Sequence, residues 1–69
     1  MKLFGQLRTY DEETRAGTIR PDDGGAPIAF EKAAVSWRHA DTPEVDARLS
    51  YYVGRNAQGV LLALNLRPA

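Results

Sequence analysis

The side chains that could act as nucleophile and base in this chain are Ser36, Ser50 and His39. A serine becomes a useful nucleophile only when a base takes its proton, and in many hydrolases glycines flank the turn that carries it. Neither serine has a glycine neighbour, and the chain has one histidine. Turn propensity alone accounts for the clustered acidic residues. We therefore expect that the protein is not an enzyme.

Metal or nucleotide chemistry would need ligands that this chain lacks. His39, Asp41 and Glu44 are close in sequence, but their spacing is irregular and the chain contains no cysteine. Structural zinc sites use four cysteine or histidine ligands. No glycine-rich loop with a following lysine is present to hold phosphates. The sequence thus predicts no metal and no cofactor.

Basic and aromatic side chains are the strongest candidates for a binding surface. Lysine and arginine neutralise phosphates, while aromatic rings and guanidinium planes stack on bases. Acidic residues at 11–13 and at 31 would oppose such binding, and the cations could equally be solvated charges. The candidate contacts to single-stranded RNA or DNA are Arg8, Tyr10, Arg15, Arg20, Lys32, Trp37 and Arg38.

The overall charge gives nucleic-acid binding no support. Nine basic and nine acidic residues leave the 69-residue chain with a formal net charge of zero. Nucleic-acid binders usually carry a positive excess, because binding releases the counterions of the phosphates. No apolar run approaches the roughly 20 residues of a membrane helix, and the N-terminal residues do not resemble a secretory signal. We expect a cytoplasmic protein that does not enter membranes.

Turn-forming residues divide the chain into five short segments with strand character. The strongest turn signal is the run 21–25, in which Pro21 presets φ, two aspartates can bond their own backbone and two glycines accept a positive φ. The predicted strands are residues 2–10, 14–20, 28–31, 49–53 and 60–66, with a short helical turn within 31–38. The pattern predicts one all-β domain over residues 1–69, a small barrel or sandwich of five strands.

Alternation within these strands predicts which side chains face the core. Tyr51 is expected to point inward and Tyr52 outward. The last strand, 60–66, is apolar on both faces, so it is covered by a loop, forms a homodimer interface or docks a protein partner. The expected core residues are Leu7, Ile19, Ile28, Phe30, Val35, Leu49, Tyr51 and Val53.

The order of these features resembles the cold-shock domain, a five-stranded antiparallel OB-fold barrel. The run GQLRTYD at 5–11 resembles the family's first-strand motif Gly-x-Val-Lys-Trp-Phe-Asn, and GTIRPDDGG at 17–25 resembles Gly-Phe-Ile-x-Pro-Asp-Asp-Gly-Gly. IAFE at 28–31 stands where the family has Val-Phe-Val-His, and ALNL at 63–66 resembles its closing Ala-x-Asn-Val. The resemblance covers the chain from end to end and implies a cold-shock-like barrel.

Cold-shock domains bind single-stranded RNA and DNA by stacking bases on aromatic side chains of the first three strands. Carried over residue by residue, those positions hold other side chains here, and only Tyr10 keeps a ring close to the expected place. Each stacked base contributes roughly 1–3 kcal/mol, so the losses should weaken binding by many decades. The positions without aromatic rings are Thr9, Ala16, Thr18, Ala29, Glu31 and Lys32.

Two functions are consistent with an intact core and a base-stacking face that has lost its aromatic side chains. The first is a divergent cold-shock-like module with weak, salt-dependent single-strand binding through the candidate residues above. The second is a protein-interaction or structural module that no longer binds nucleic acid. The sequence also allows three interpretations of Trp37. It is a relocated stacking residue, an anchor for a protein partner, or a side chain that closes the thin core.

Overall fold

The protein is an all-β structure of five antiparallel strands, as the turn spacing predicts. The computed structural model describes residues 2–69, and of His39 it describes the backbone only. Two single 3₁₀ turns, Lys32–Ala34 and His39–Asp41, lie between the third and fourth strands. The strands are β1 (Leu3–Asp11), β2 (Ala16–Pro21), β3 (Ile28–Phe30), β4 (Arg48–Arg55) and β5 (Leu61–Pro68).

All five strands belong to one sheet in the order β3-β2-β1-β4-β5. The hairpins β1–β2, β2–β3 and β4–β5 join neighbours in sequence, and β1 pairs with β4 in the middle of the sheet. Short turns can make those three connections, because antiparallel neighbours need only a few linking residues. The longer link, from β3 to β4, carries both 3₁₀ turns.

The sheet curls until its two edges touch at one end, but it is not closed. After β3 the chain forms a single parallel bridge between Val35 and Leu66 of β5, and Ser36 Oγ donates a hydrogen bond to the Leu66 carbonyl. The expected closed barrel is therefore incomplete. Since β3 has only three residues, it ends before it can form a ladder along β5 within the described chain.

A β-bulge in β1 decides which way the first strand's aromatic ring points. The register with β2 shifts between Leu7 and Thr9, so Arg8 is the extra residue. An extra residue breaks the period-two alternation of side chains. Leu7 and Tyr10, three residues apart, consequently both lie on the core side, and Thr9 is left exposed.

A second β-bulge changes the direction of the side chains in β5. Ser50 pairs with Arg67 and Tyr52 pairs with Leu64, which leaves Asn65 and Leu66 opposite Tyr51 alone. Asn65 has a φ of 51°, in the left-handed region that asparagine tolerates better than most residues. The shift turns Leu66 into the core beside Ala63, which period-two alternation would not do.

The core agrees with the expected set at most positions and differs at Val53. Tyr51 is buried and Tyr52 exposed, as predicted, while Ile28 and Val35 are half-buried against the core. Val53 is 41% exposed, because β1 begins at Leu3, opposite Tyr51, and β4 runs on past it. The buried hydrophobic residues are Leu7, Ile19, Phe30, Ala34, Trp37, Leu49, Tyr51, Ala63 and Leu66.

Gly17 of β2 lies between two aromatic residues that pack over it. It pairs with Tyr10 on one side and Phe30 on the other, and the rings of these two residues stack with their centres 6.2 Å apart. A Cβ atom built on Gly17 would lie well inside van der Waals contact of the Thr9 carbonyl oxygen, which is backbone and cannot move aside alone. The close approach of the two strands requires glycine here.

Replacing Gly17 by alanine is expected to lower the free energy of unfolding by about 1–3 kcal/mol, the usual cost of overpacking a core. Chemical denaturation followed by circular dichroism measures the change. Gly25→Ala is the matched control, because its Cβ would approach only the Asp23 side chain, which can turn away. If both variants unfold at the wild-type midpoint, the strand packing around Gly17 is described incorrectly.

Candidate functional site

Three of the positions that the resemblance assigns to base stacking, exposed Thr9 and Ala29 with half-buried Thr18 between them, form a row across three strands. Thr9 pairs with Thr18, and Thr18 pairs with Ala29. The hydroxyls of the two threonines lie 2.8 Å apart and hydrogen-bond to each other. A row of small side chains offers no ring for a base to stack on.

Tyr10 and Trp37, the aromatic candidates, belong to the core instead of this row. Their ring centres lie 5.7 Å apart, and Trp37 meets Phe30 edge-on at 6.4 Å. Trp37 is only 6% exposed, and its indole nitrogen has no hydrogen-bond partner among the described residues. Of the three interpretations of Trp37, its burial supports closure of the thin core.

Arg15 is held by the same aromatic cluster. Its Nε lies 3.4 Å from the Tyr10 hydroxyl, and an Nη atom donates to the Trp37 carbonyl. Its φ of 57° places it at the end of the turn between β1 and β2, where its amide bonds to the Asp11 carbonyl at 2.7 Å. These contacts hold Arg15 in the turn and engage its guanidinium group within the fold.

Two arginines on the outer face of the sheet are already paired with acidic residues. Arg20 lies 2.6 Å from the Gln6 amide oxygen and 3.8 Å from an Asp46 carboxylate oxygen. Arg48 lies 2.7 Å from Asp22. Phosphate would have to displace these carboxylates, so the two guanidinium groups attract phosphate less than free cations would.

Arg8 and Lys32 are the candidates left exposed without an ion pair in the described part of the chain. Arg38 is exposed but lies 3.5 Å from Asp41, three residues along the chain. The predicted residues therefore separate into a buried group and a set of surface charges, of which Arg20 and Arg38 are paired with carboxylates and Arg8 and Lys32 are not.

Phe4 is an exposed aromatic residue that the sequence analysis did not single out. It projects from the outer face of β1, and the Arg48 guanidinium carbon lies 5.1 Å from its ring centre, a cation–π contact. Alternation with the expected core residue Leu7 was the available signal, since it turns the even-numbered positions ahead of the Arg8 bulge outward.

A cleft of about 470 Å³ opens at the end of the sheet where β3 and β5 separate. Ile28 begins β3 and Leu61 begins β5, and both line the cleft from opposite sides. Leu3 and Tyr51 lie between them, on the paired strands β1 and β4. The cleft therefore exists because the two edge strands meet only at the far end, near Val35 and Leu66.

Charged residues of the β2–β3 loop stand at the rim of this cleft. Asp22 and Asp23 of this loop line the cleft. Lys2, which precedes β1, lines the cleft as well. Burial raises the pKa of the Tyr51 hydroxyl above its ordinary value, and the negative charges of Asp23 and Asp22 raise it further. The cleft thus combines an apolar floor with a negative field.

The β4–β5 hairpin projects past β1 and carries an uncovered apolar surface on its outer side. Tyr52 and Leu64 pair across the two strands and are 39% and 40% exposed. Leu62, half-buried, lies on the same side because it pairs with Gly54, over which the Leu64 side chain folds. We call Tyr52, Leu62 and Leu64 the hairpin apolar face.

No group of three potential metal-ligating side chains comes together in the described residues. No helix in residues 2–69 is long and apolar enough to cross a membrane. Neither a scan against models of protein families nor a search of curated proteins returned a match for the chain.

The raised pKa of Tyr51 predicts a loss of stability in alkaline solution. The folded state holds the Tyr51 hydroxyl proton more tightly than the unfolded state does. The protonated hydroxyl therefore adds to the free energy of unfolding below about pH 10, and this contribution is lost as the pH rises through the folded-state pKa. Urea unfolding between pH 8 and pH 11 should show a steeper decline for wild type than for Tyr51→Phe. Parallel declines would contradict the burial of this hydroxyl.

Proposed function

We propose that the protein is an interaction module on a cold-shock-like OB fold, and that it associates with a second copy of itself through the hairpin apolar face. The observation that carries the proposal is the exposure of Tyr52 and Leu64, with half-buried Leu62 beside them, on a projecting hairpin. Contiguous apolar surface of this kind usually marks an interaction site. The proposal includes the cytoplasmic location expected from the sequence.

The charge pattern of β5 supports a second copy as the occupant. Residues 60–66 contain no charged side chain, and the one charge and the proline of β5, Arg67 and Pro68, lie at its end, beyond the hairpin apolar face. Natural edge strands usually carry charges or proline that discourage association. In a two-fold contact the same patch meets itself, so every charge in the patch is brought in twice, once from each copy. An uncharged patch avoids repulsion between such like charges and buries apolar surface on both sides.

Weak binding of single-stranded nucleic acid is the second candidate function. Exposed, unpaired Arg8 and Lys32 and the exposed ring of Phe4 favour it. Against it stand the small side chains at Thr9, Thr18 and Ala29. We rank it second because stacking supplies most of the affinity in sequence-tolerant single-strand binding.

Self-association is tested by sedimentation velocity over a concentration series. The weight-average sedimentation coefficient of wild type should rise with concentration, and Leu64→Lys should weaken the association by at least about tenfold, since each copy would then bring a lysine charge into the apolar contact. Val45→Lys, at an exposed position outside the hairpin, is the control and should associate as wild type does. A monomeric wild type up to millimolar concentration would refute the proposal.

Nucleic-acid binding is tested by following backbone amide shifts on titration with mixed-sequence single-stranded DNA. We expect small shifts in β1 to β3 that vanish as salt is raised. The triple variant Ala16→Phe, Thr18→Phe, Ala29→Phe should bind more tightly, because each stacked base adds roughly 1–3 kcal/mol.

A folded triple variant that binds no better than wild type would show that the row through Thr9, Thr18 and Ala29 is not a stacking surface. If no wild-type amide shifts at millimolar DNA and low salt, the second candidate function is excluded.

A further inference from the structure

We infer that the cleft between the starts of β3 and β5 binds a small organic cation, an amine carried on a compact apolar body. The cleft lies on the inner side of the β4–β5 hairpin, opposite the hairpin apolar face. This inference is therefore independent of self-association, and it shares only Phe4, which also lines the cleft, with the candidate nucleic-acid residues.

The shape of the cleft suits a small molecule. Its volume of about 470 Å³ falls within the range of about 300–1,000 Å³ typical of such sites. The walls combine the ends of paired strands with the β2–β3 loop, and the floor includes the buried ring of Tyr51. The sheet holds the strand ends in place before binding, which reduces the entropic cost on that side.

The lining of the cleft is mainly apolar. Leu3, Ile28 and Leu61 contribute aliphatic groups, and Pro21 and Tyr51 contribute ring carbons. A ligand with an exposed hydrocarbon or aromatic body gains by moving from water into contact with these groups. The apolar body of the ligand is inferred from this lining.

The positive charge of the ligand is inferred from the β2–β3 loop. Asp22 is paired with Arg48, whereas Asp23 meets no cation in the described chain. One Asp23 oxygen accepts the Gly25 amide at 2.8 Å, which orients the carboxylate in the loop. The other oxygen has no partner among the described residues and is available to an ammonium group. The raised pKa of Tyr51 agrees with a negative field at the floor.

Lys2 provides a directional test of the sign of the ligand's charge. It lines the same cleft as Asp23. An ammonium ligand would be repelled by Lys2 and attracted by Asp23, while a carboxylate ligand would experience the reverse. Removing each charge should therefore change the affinity in opposite directions.

The experiment titrates the full chain with 2-phenylethylammonium and with the neutral 2-phenylethanol, and follows backbone amide shifts at low salt. The cation should shift amides in residues 21–28 and at Leu61 and should bind several-fold more tightly than the alcohol. Asp23→Asn should reduce the affinity about tenfold, and Lys2→Gln should raise it. Asp41→Asn, which removes a carboxylate outside the cleft, is the matched control and should bind as wild type does.

Three results would overturn the inference: equal binding of the alcohol and the cation, tighter binding of 3-phenylpropionate, or weaker binding of the cation by Lys2→Gln. A peptide such as acetyl-Leu-Lys-Leu-amide that binds over tenfold better than the amine would assign the cleft to a protein segment instead. If Asp23→Asn disturbs the loop, as its amide spectrum would show, the Lys2→Gln result and the comparison of cation with alcohol decide the question.

Discussion

The packing of Tyr10 and Phe30 across Gly17 is the contact on which the rest of the structure depends. It requires a glycine, because a Cβ would collide with the backbone of β1, and it requires the Arg8 bulge, because strict alternation would turn Tyr10 outward. Trp37 completes the cluster from the β3–β4 connection. Tyr10, Phe30 and Trp37 are thereby committed to the core, and Phe4 is the ring of β1 that stays exposed. The outer row at Thr9, Thr18 and Ala29 is left without a ring.

The incomplete closure of the sheet shapes the two surfaces that remain. The edges meet at Val35 and Leu66 and separate toward Ile28 and Leu61, and the gap becomes a cleft with an apolar floor. β1 begins opposite Tyr51, so the rest of β4 pairs only with β5 and the hairpin stands free. The shortness of β3 creates the cleft. The hairpin apolar face arises because β1 does not extend along β4 past Tyr51.

The sequence predicted the five strands, the short helical turn and most of the core, because turn residues and hydrophobic alternation are local signals. It also placed Tyr51 inside and Tyr52 outside correctly. It was wrong for Val53, and it did not identify Ala63 and Leu66 as neighbours in the core. The candidate site was harder to predict. Its list combined buried Trp37, structurally held Arg15 and exposed Arg8, since a sequence does not show which charges find partners or which rings turn inward.

What the sequence determined by itself is the all-β class, the positions of the strands along the chain and the charge balance, each of which depends on residue type and short-range spacing. Only the tertiary structure decided the direction of the side chains after each bulge, the pairing of Arg20 and Arg48 with carboxylates, and the gap between β3 and β5. The physical reason is that one extra residue in a strand reverses every later side chain, and its position depends on pairing between distant parts of the chain.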